Sequence, residues 1–240
     1  MGCGSSAGAE NPSSGAAKGK GCVPGTVKYY YLAGFLGRAD PLTQQFKYHG
    51  QECQYTALNP PDWEAQKARG DGGEFGGGLP QAMFTENGKS VRLSQTGAIM
   101  RYFGIRYGYY DPKNWQQACH IDPIVDTWSD ICGAFAGIAF APDADKPAAI
   151  DKAVNVAKKV NALAEKSLVK CGGPFIAGKK VTIADFFMAS YMGNMVTNPL
   201  NPASQRIIAC LDETPKFKAY CETLKKEFPH LSQREVTTIM

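Results

Sequence analysis

The sequence lacks the marks of several protein classes. None of its apolar runs approaches the ~20 residues that a membrane-spanning helix needs. The formal net charge of +4 is too small to indicate a nucleic-acid partner, and no basic cluster with interleaved aromatic residues occurs. Only three histidines are present, and the cysteines show neither C-x-x-C nor metal-ligand spacing. We therefore expect neither a bound metal nor a nucleic acid.

The cysteines predict reduced thiols rather than disulfides. They are scattered along the chain, and no secretory signal is recognisable. This usage is typical of an intracellular protein, so we expect a cytoplasmic location. The eight cysteines are Cys3, Cys22, Cys53, Cys119, Cys132, Cys171, Cys210 and Cys221.

The first 24 residues differ from the rest of the chain. Residues 1–24 are rich in Gly, Ser and Ala and cannot form a core, which predicts a flexible tail. The start fits M-G-x-x-x-[ST], the pattern for N-myristoylation of Gly2, with Cys3 beside it for palmitoylation. One acyl chain binds membranes only marginally, so Cys3 would supply the second anchor. A plain tail that begins with Met-Gly fits equally well, and both interpretations stay open.

Residues 76–108 predict a hairpin followed by a helix. Asn87-Gly88 supplies the positive φ angles of a tight turn between strands at 81–84 and 90–93. An amphipathic helix follows over 97–107.

The same segment predicts a cradle for a peptide-like ligand. If the Leu79-Pro80 bond is cis, the Leu79 N–H and C=O are held where such a ligand can pair with them. Gln95 and Thr96 lie where free helix N–H groups and the helix dipole favour a carboxylate. A simpler interpretation, in which Pro80 ends a loop and Thr96 caps a helix, is also open for each residue alone.

These features in this order resemble the glutathione-binding segment of the cytosolic glutathione transferases. The likeness is carried by Leu79-Pro80, the hairpin and the run Leu-Ser-Gln-Thr-Gly-Ala-Ile-Met-Arg-Tyr-Phe-Gly at 93–104, and it is strongest for the tyrosine-type classes (alpha, mu, pi, sigma). It implies that Gln95 and Thr96 hold the γ-glutamyl end of glutathione. Thr96 replaces the family's usual Ser and keeps its hydroxyl. The resemblance covers roughly residues 26 to 230.

The order of predicted elements agrees with a two-domain fold. A strand at 26–32, a helix at 38–48, a strand at 53–58, a loop at 59–78 and the hairpin with its helix give βαβ followed by ββα. That is the order of a thioredoxin-like domain, predicted here over residues 25–108.

The rest of the chain predicts an all-helical domain over residues 112–240. Helices are expected at 115–140, 146–170 and 215–228. Thr182 and Asp185 form a capping box within a phrase that resembles the core folding motif of the family's helical domain. The fold class is therefore α/β plus all-α.

The resemblance implies that a tyrosine at the end of the first strand activates the glutathione thiol. A free thiol titrates near ~8.5, and a hydrogen-bond donor aimed at the sulfur favours the thiolate. Matching Gly37-Arg38-Ala39-Asp40-Pro41 to the family's Gly-Arg-x-Glu-Pro puts Tyr31 at this position, with one extra residue in the turn. Without that insertion, Leu32 falls there. Arg38 either supports the same hydroxyl or is an ordinary surface arginine.

The resemblance implies further contacts to glutathione. Trp63 and Lys67 resemble the pair that holds its glycine end, with Arg69 as the alternate cation. Asp130 aligns with an acidic residue that reaches the γ-glutamyl amine across a homodimer, and Asp126, one turn away, is the alternative.

The sequence thus predicts a glutathione transferase that uses glutathione as co-substrate and conjugates it to a hydrophobic electrophile. The electrophile is expected between the domains, near Phe35, Leu36 and Phe135. Two alternatives remain: a glutathione-dependent isomerase or peroxidase on the same scaffold, and a non-catalytic ligand-binding module, since a fold does not fix function.

Overall fold

The computed structural model describes residues 21–69, 78–229 and 238. The predicted acylation sites Gly2 and Cys3, and residues 70–77 of the predicted loop, lie outside these ranges. Across the described ranges, every helix is too short or too polar to traverse a lipid bilayer. The same ranges hold no cluster of three or more potential metal ligands.

A four-stranded mixed sheet forms the N-terminal half. Its order is β2-β1-β3-β4, with β1 parallel to β2 and antiparallel to β3, and β3 antiparallel to β4. The parallel pair is joined through helix α1, as a βαβ unit requires. This arrangement confirms the predicted thioredoxin-like order. The strands are β1 (Val27–Leu32), β2 (Cys53–Leu58), β3 (Gln81–Glu86) and β4 (Lys89–Ser94).

Helices make up the rest of the described chain, which confirms the predicted all-helical half. Two of them were not predicted. Helix α2 falls within the predicted loop at 59–78 and has no buried residue, so the sequence carries no apolar stripe to reveal it. Helix α7 has only seven residues, too few for a clear periodicity. The helices are α1 (Asp40–His49), α2 (Pro60–Ala68), α3 (Thr96–Tyr107), α4 (Trp115–Phe140), α5 (Lys146–Cys171), α6 (Ile183–Tyr191), α7 (Ser204–Cys210) and α8 (Pro215–Glu227).

The two halves are fixed against each other along α1, α3 and α6. The buried Asp40 carboxylate at the start of α1 accepts a hydrogen bond from the Asn194 amide at 3.0 Å. Helix α3 approaches α6 so closely at Gly104 that a Cβ atom there would lie 2.5 Å from the Ile183 side chain. Only glycine fits at this crossing, so the angle between the two halves depends on it.

The end of the predicted tail packs on the domain. Val23 is 3% exposed, and its N–H donates to the Gln51 side-chain oxygen at 3.0 Å. Arg106 of α3 donates to the Gly21 carbonyl at 3.0 Å. The composition of residues 1–24 gave no sign of these contacts, because a single buried valine stands among small and polar residues.

The predicted capping box at the start of α6 is present and fully buried. One carboxylate oxygen of Asp185 accepts the N–H of Ile176 at 3.0 Å and the hydroxyl of Tyr220 at 2.6 Å. The other accepts the N–H and the hydroxyl of Thr182 at 2.7 and 2.9 Å. Burial raises the pKa of Asp185, and these bonds oppose that effect. This carboxylate therefore joins α6, α8 and the preceding loop.

We expect Asp185→Ala to lower the free energy of unfolding by at least ~4 kcal/mol, because four buried donor groups lose their acceptor at ~1–3 kcal/mol each. Urea unfolding measures this. Asp151→Ala is the control, since Asp151 pairs with Arg206 at the surface, and its loss should stay within ~0.5 kcal/mol. Similar losses in both variants would contradict a structural role for the buried network.

Candidate functional site

A cavity of about 350 Å³ opens between the start of α3 and the middle of α4. Its charged lining residues are two arginines and one aspartate. It brings together the predicted Gln95, Thr96 and Arg38, and we call it the α3 cavity. Its described lining is Arg38, Gln95, Thr96, Gly97, Ala98, Arg101, Val125, Asp126, Trp128 and Ser129.

The start of α3 is built to receive an anion. No side chain caps this helix, so its first-turn N–H groups lack an intrahelical or side-chain acceptor. Thr96 is the first helical residue, and its hydroxyl donates to the Arg38 carbonyl at 2.9 Å instead of capping. The positive end of the helix dipole adds to the attraction for a negative group.

The Leu79-Pro80 segment lies opposite this helix start. The Leu79-Pro80 peptide bond is cis. Gln81 pairs with Ser94 in the antiparallel ladder, so the residues that precede Gln81 face those that follow Ser94. A Cβ atom at Gly78 would lie 3.4 Å from the Gln95 amide nitrogen. The structure thus brings this segment together with Gln95.

Gln95 itself has an unusual backbone. Its φ of 73° and ψ of 121° lie in a region that residues other than glycine rarely adopt. Such a conformation costs roughly 1–3 kcal/mol and is common at ligand-binding sites. Here it turns the chain from β4 into α3 and places an exposed amide at the rim of the α3 cavity.

Tyr31 lies just behind the α3 cavity. It is 4% exposed, and a Cβ atom at Gly37 would lie 3.0 Å from its hydroxyl oxygen, so the phenol packs against the turn that contains Arg38. Burial raises the pKa of Tyr31 above the ordinary value of 10, and the polar groups of Arg38 oppose this effect. The phenol is therefore protonated at neutral pH. Arg38 links it to the cavity, because its carbonyl accepts from Thr96.

Arg101 is a site residue that the sequence analysis missed. It contacts Asp122 and Asp126 of α4, at 2.8 and 2.9 Å. A Cβ atom at Gly97 would lie 3.1 Å from its guanidinium, so Gly97 leaves room for it. The signal was present in the sequence, since Gly97 and Arg101 are four residues apart and share a helix face.

Three other predicted residues are absent from the described lining of the α3 cavity. Lys67 pairs with Glu64 at 2.6 Å and lies 5.6 Å from the Trp63 ring centroid, on the exposed helix α2. Neither Trp63 nor Lys67 is among the described lining residues. Asp130 lines a separate cavity of about 420 Å³ between α4 and α5. Its predicted role needs a second copy of the chain and stays a prediction.

The residues predicted to hold the electrophile do not form one site. Phe135 is completely buried in the core of the helical half. Phe35 packs against Phe140 with ring centroids 5.6 Å apart, which brings the β1–α1 turn to the end of α4. Leu36 and Phe35 line another cavity, and Phe135 is not among its described lining residues. The helical periodicity predicts that Phe135 lies in a helix. It does not show whether the side chain faces the core of the helical half or the boundary between the domains.

Comparison with known proteins adds to this geometry. Residues 129–231 match the family model described as the C-terminal domain of glutathione S-transferase. Similar solved structures include a monomeric glutathione S-transferase from Necator americanus (21% identity, TM-score 0.70, 89% of this chain and 99% of that chain). Others are the enzyme from Ascaris lumbricoides (23%, 0.67, 89% and 100%) and a sigma-class enzyme from Fasciola hepatica (20%, 0.67, 90% and 99%).

The similar structures share one fold with this chain, a thioredoxin-like domain followed by an all-helical domain. The match of the helical half to the family model then adds a sequence relationship to the shared fold. The helical half thus matches the C-terminal domain of glutathione S-transferases in sequence, and the chain as a whole shares the fold of the solved transferases.

We expect Gln95→Gly to raise the free energy of unfolding by about 1 kcal/mol, because glycine adopts the positive φ without strain. Gln95→Ala should show no such gain, since alanine keeps the strain. Urea unfolding of both variants provides the test. Equal stability of the two would show that the backbone of residue 95 is unstrained.

Proposed function

We propose that this chain is a glutathione transferase that binds glutathione between the Leu79-Pro80 segment and the start of α3. The observation that carries the proposal is the uncapped helix start beside Gln95, held next to Arg38 and opposite Leu79-Pro80. This arrangement offers hydrogen-bond donors to an anion and an adjacent strand end to a peptide.

The γ-glutamyl end of glutathione carries both a carboxylate and an ammonium group. The first-turn N–H groups of α3 and the Gln95 amide suit the carboxylate. Asp126, at the rim of the same cavity, suits the ammonium group from within one chain. Asp130 would serve the site of a partner in a homodimer, and Trp63 with Lys67 would hold the glycine end.

Tyr31 is proposed as the hydroxyl donor to the glutathione thiolate. The phenolic hydroxyl of Tyr31 can donate one hydrogen bond, and we assign that bond to the sulfur. The raised pKa of Tyr31 keeps that hydrogen in place at neutral pH. The thiol proton leaves to solvent, and the sulfur attacks the electrophile to form a carbon–sulfur bond while the leaving group departs. The stabilised thiolate is the catalytic effect.

We expect Tyr31→Phe to raise the pKa of enzyme-bound glutathione toward ~8.5 and to lower kcat/KM at pH 6.5 up to roughly 100-fold, as a two-unit shift implies. The rate deficit should shrink as the pH rises, because the thiolate then forms without help. Tyr30→Phe is the matched control, since Tyr30 faces the opposite side of the sheet. A chloronitrobenzene conjugation assay and ultraviolet titration of the thiolate provide the measurements.

Two outcomes would contradict parts of this proposal. Equal pH–rate profiles for Tyr31→Phe and the unaltered chain would remove Tyr31 from the mechanism. No conjugation by any variant, with retained binding to a glutathione resin, would favour the non-catalytic binding module. Absence of calorimetric heat with millimolar glutathione would reject the site itself.

The N-terminal pattern supports a second proposal, acylation of Gly2 with Cys3 as a further anchor. After expression in a eukaryotic host, mass spectrometry should show a myristoyl group on Gly2 once Met1 is removed. Gly2→Ala is the control, because it abolishes the acceptor and should shift the protein from membranes to the soluble fraction. An unmodified Gly2 would end the proposal.

A further inference from the structure

Two cysteines lie where the start of α4 packs against the end of α5. The two helices are antiparallel neighbours, because only residues 141–145 join the end of α4 to the start of α5. Their register is fixed beside Cys119, since His120 Nδ1 lies 3.3 Å from the Ser167 hydroxyl oxygen. Cys171 lies one turn beyond Ser167 on the same face of α5. Both cysteines are therefore at the same end of the helix pair.

Electrostatic effects show that these side chains are neighbours. Burial raises the pKa of Cys171, the charge of Cys119 adds to this effect, and Lys170 opposes it. Burial lowers the pKa of His120, which follows Cys119, and the charge of Lys170 adds to that effect. Such interactions weaken with distance, so Cys119, His120, Lys170 and Cys171 form one cluster. We call it the helix-end cluster.

The two thiols of the helix-end cluster differ in access to solvent. Among the cysteines of the described ranges, Cys119 alone is exposed, and Cys171 is half-buried. Oxidation of a thiol depends on its exposure and on its thiolate character. Cys119 is therefore the thiol that a dissolved oxidant reaches first, and Cys171 is placed to react with it afterwards.

The end of α5 can bring the two sulfur atoms together. A disulfide needs Cα atoms roughly 4.4–6.8 Å apart. At a rise of ~1.5 Å per residue, the contact between His120 and Ser167 sets Cys119 and Cys171 about 4.5 Å apart along the helix axes. Cys171 is the last residue of α5, and Gly172 after it has a φ of 64° and open space beside it. Helix ends fray, so a small shift of Cys171 is enough for closure.

We propose that Cys119 and Cys171 are a modification site, which a hydroperoxide converts into a reversible intrachain disulfide. The Cys119 sulfur attacks one peroxide oxygen, the O–O bond breaks, and the other oxygen leaves as an alcohol or as water. Cys119 is then a sulfenic acid. The Cys171 sulfur attacks it, so that the S–S bond forms, the S–O bond breaks, and the hydroxyl leaves as water with the Cys171 proton.

The electrons balance in both directions. The two thiols lose two electrons together, and the hydroperoxide gains them. Two glutathione molecules reverse the reaction by thiol–disulfide exchange and leave as glutathione disulfide. The reaction is independent of the proposed glutathione site, because neither cysteine is among the described lining residues of the α3 cavity.

The test treats the reduced full chain with excess hydrogen peroxide, alkylates the remaining thiols and digests the product with trypsin. Mass spectrometry should find peptide 171–179 joined to peptide 114–152, with two hydrogen atoms fewer than the two separate peptides. Cys119→Ser and Cys171→Ser should each abolish the linked peptide. Because peptide 114–152 also contains Cys132, the Cys119→Ser variant decides which sulfur is linked. Cys53→Ser is the matched control, since Cys53 is half-buried like Cys171, and should leave the yield unchanged.

Thermal unfolding gives a second readout. The disulfide closes a loop that contains most of α4 and α5, so oxidation should raise Tm by about 5 °C or more. Dithiothreitol should reverse the rise, and Cys119→Ser should show none. An alkylated, unlinked peptide 171–179 after peroxide treatment would overturn the proposal. So would attachment of Cys171 to another cysteine, or a covalent dimer in place of the internal link.

Discussion

The contact between Arg38 and Thr96 is the interaction on which the candidate site depends. The Arg38 carbonyl accepts from the Thr96 hydroxyl at 2.9 Å, and Arg38 follows Gly37, where a Cβ atom would lie 3.0 Å from the Tyr31 hydroxyl oxygen. One residue thus couples the end of β1 to the start of α3, although 58 positions separate Arg38 and Thr96 in the chain. Backbone groups have fixed geometry, so this link positions the phenol relative to the helix start more rigidly than two long side chains could.

Local patterns were sufficient for the fold, and they indicated three of the residues that line the α3 cavity, Arg38, Gln95 and Thr96. Asn87-Gly88 determines its turn by itself, and the capping box of Thr182 and Asp185 is contained in four residues. The strained conformation of Gln95 and the burial of Tyr31 were not predictable, because each depends on tertiary contacts. Helix α2 was not predicted because it buries no residue, and its sequence therefore has no apolar stripe.

Ion pairs between helices could also not be predicted from the sequence. Asp126 and Asp130 are one turn apart on α4, and the resemblance favours Asp130 with Asp126 as the alternative. In the structure, Asp126 pairs with Arg101 at the α3 cavity, whereas Asp130 lines the cavity between α4 and α5. Because residues four apart share a helix face, the difference arises from where along α4 the Arg101 guanidinium lies, and the crossing of α3 and α4 determines that position.

The short turn after β1 contributes to two cavities. Arg38 lines the α3 cavity, while Leu36 and Ala39 line a second cavity of about 260 Å³ between α1 and β2. Gly37 between them has a φ of 29°, and a Cβ atom there would lie 3.0 Å from the Tyr31 hydroxyl oxygen. A side chain at position 37 would therefore be strained at this φ and would press on the phenol. The position of the Tyr31 hydroxyl thus depends on glycine at this point of the turn.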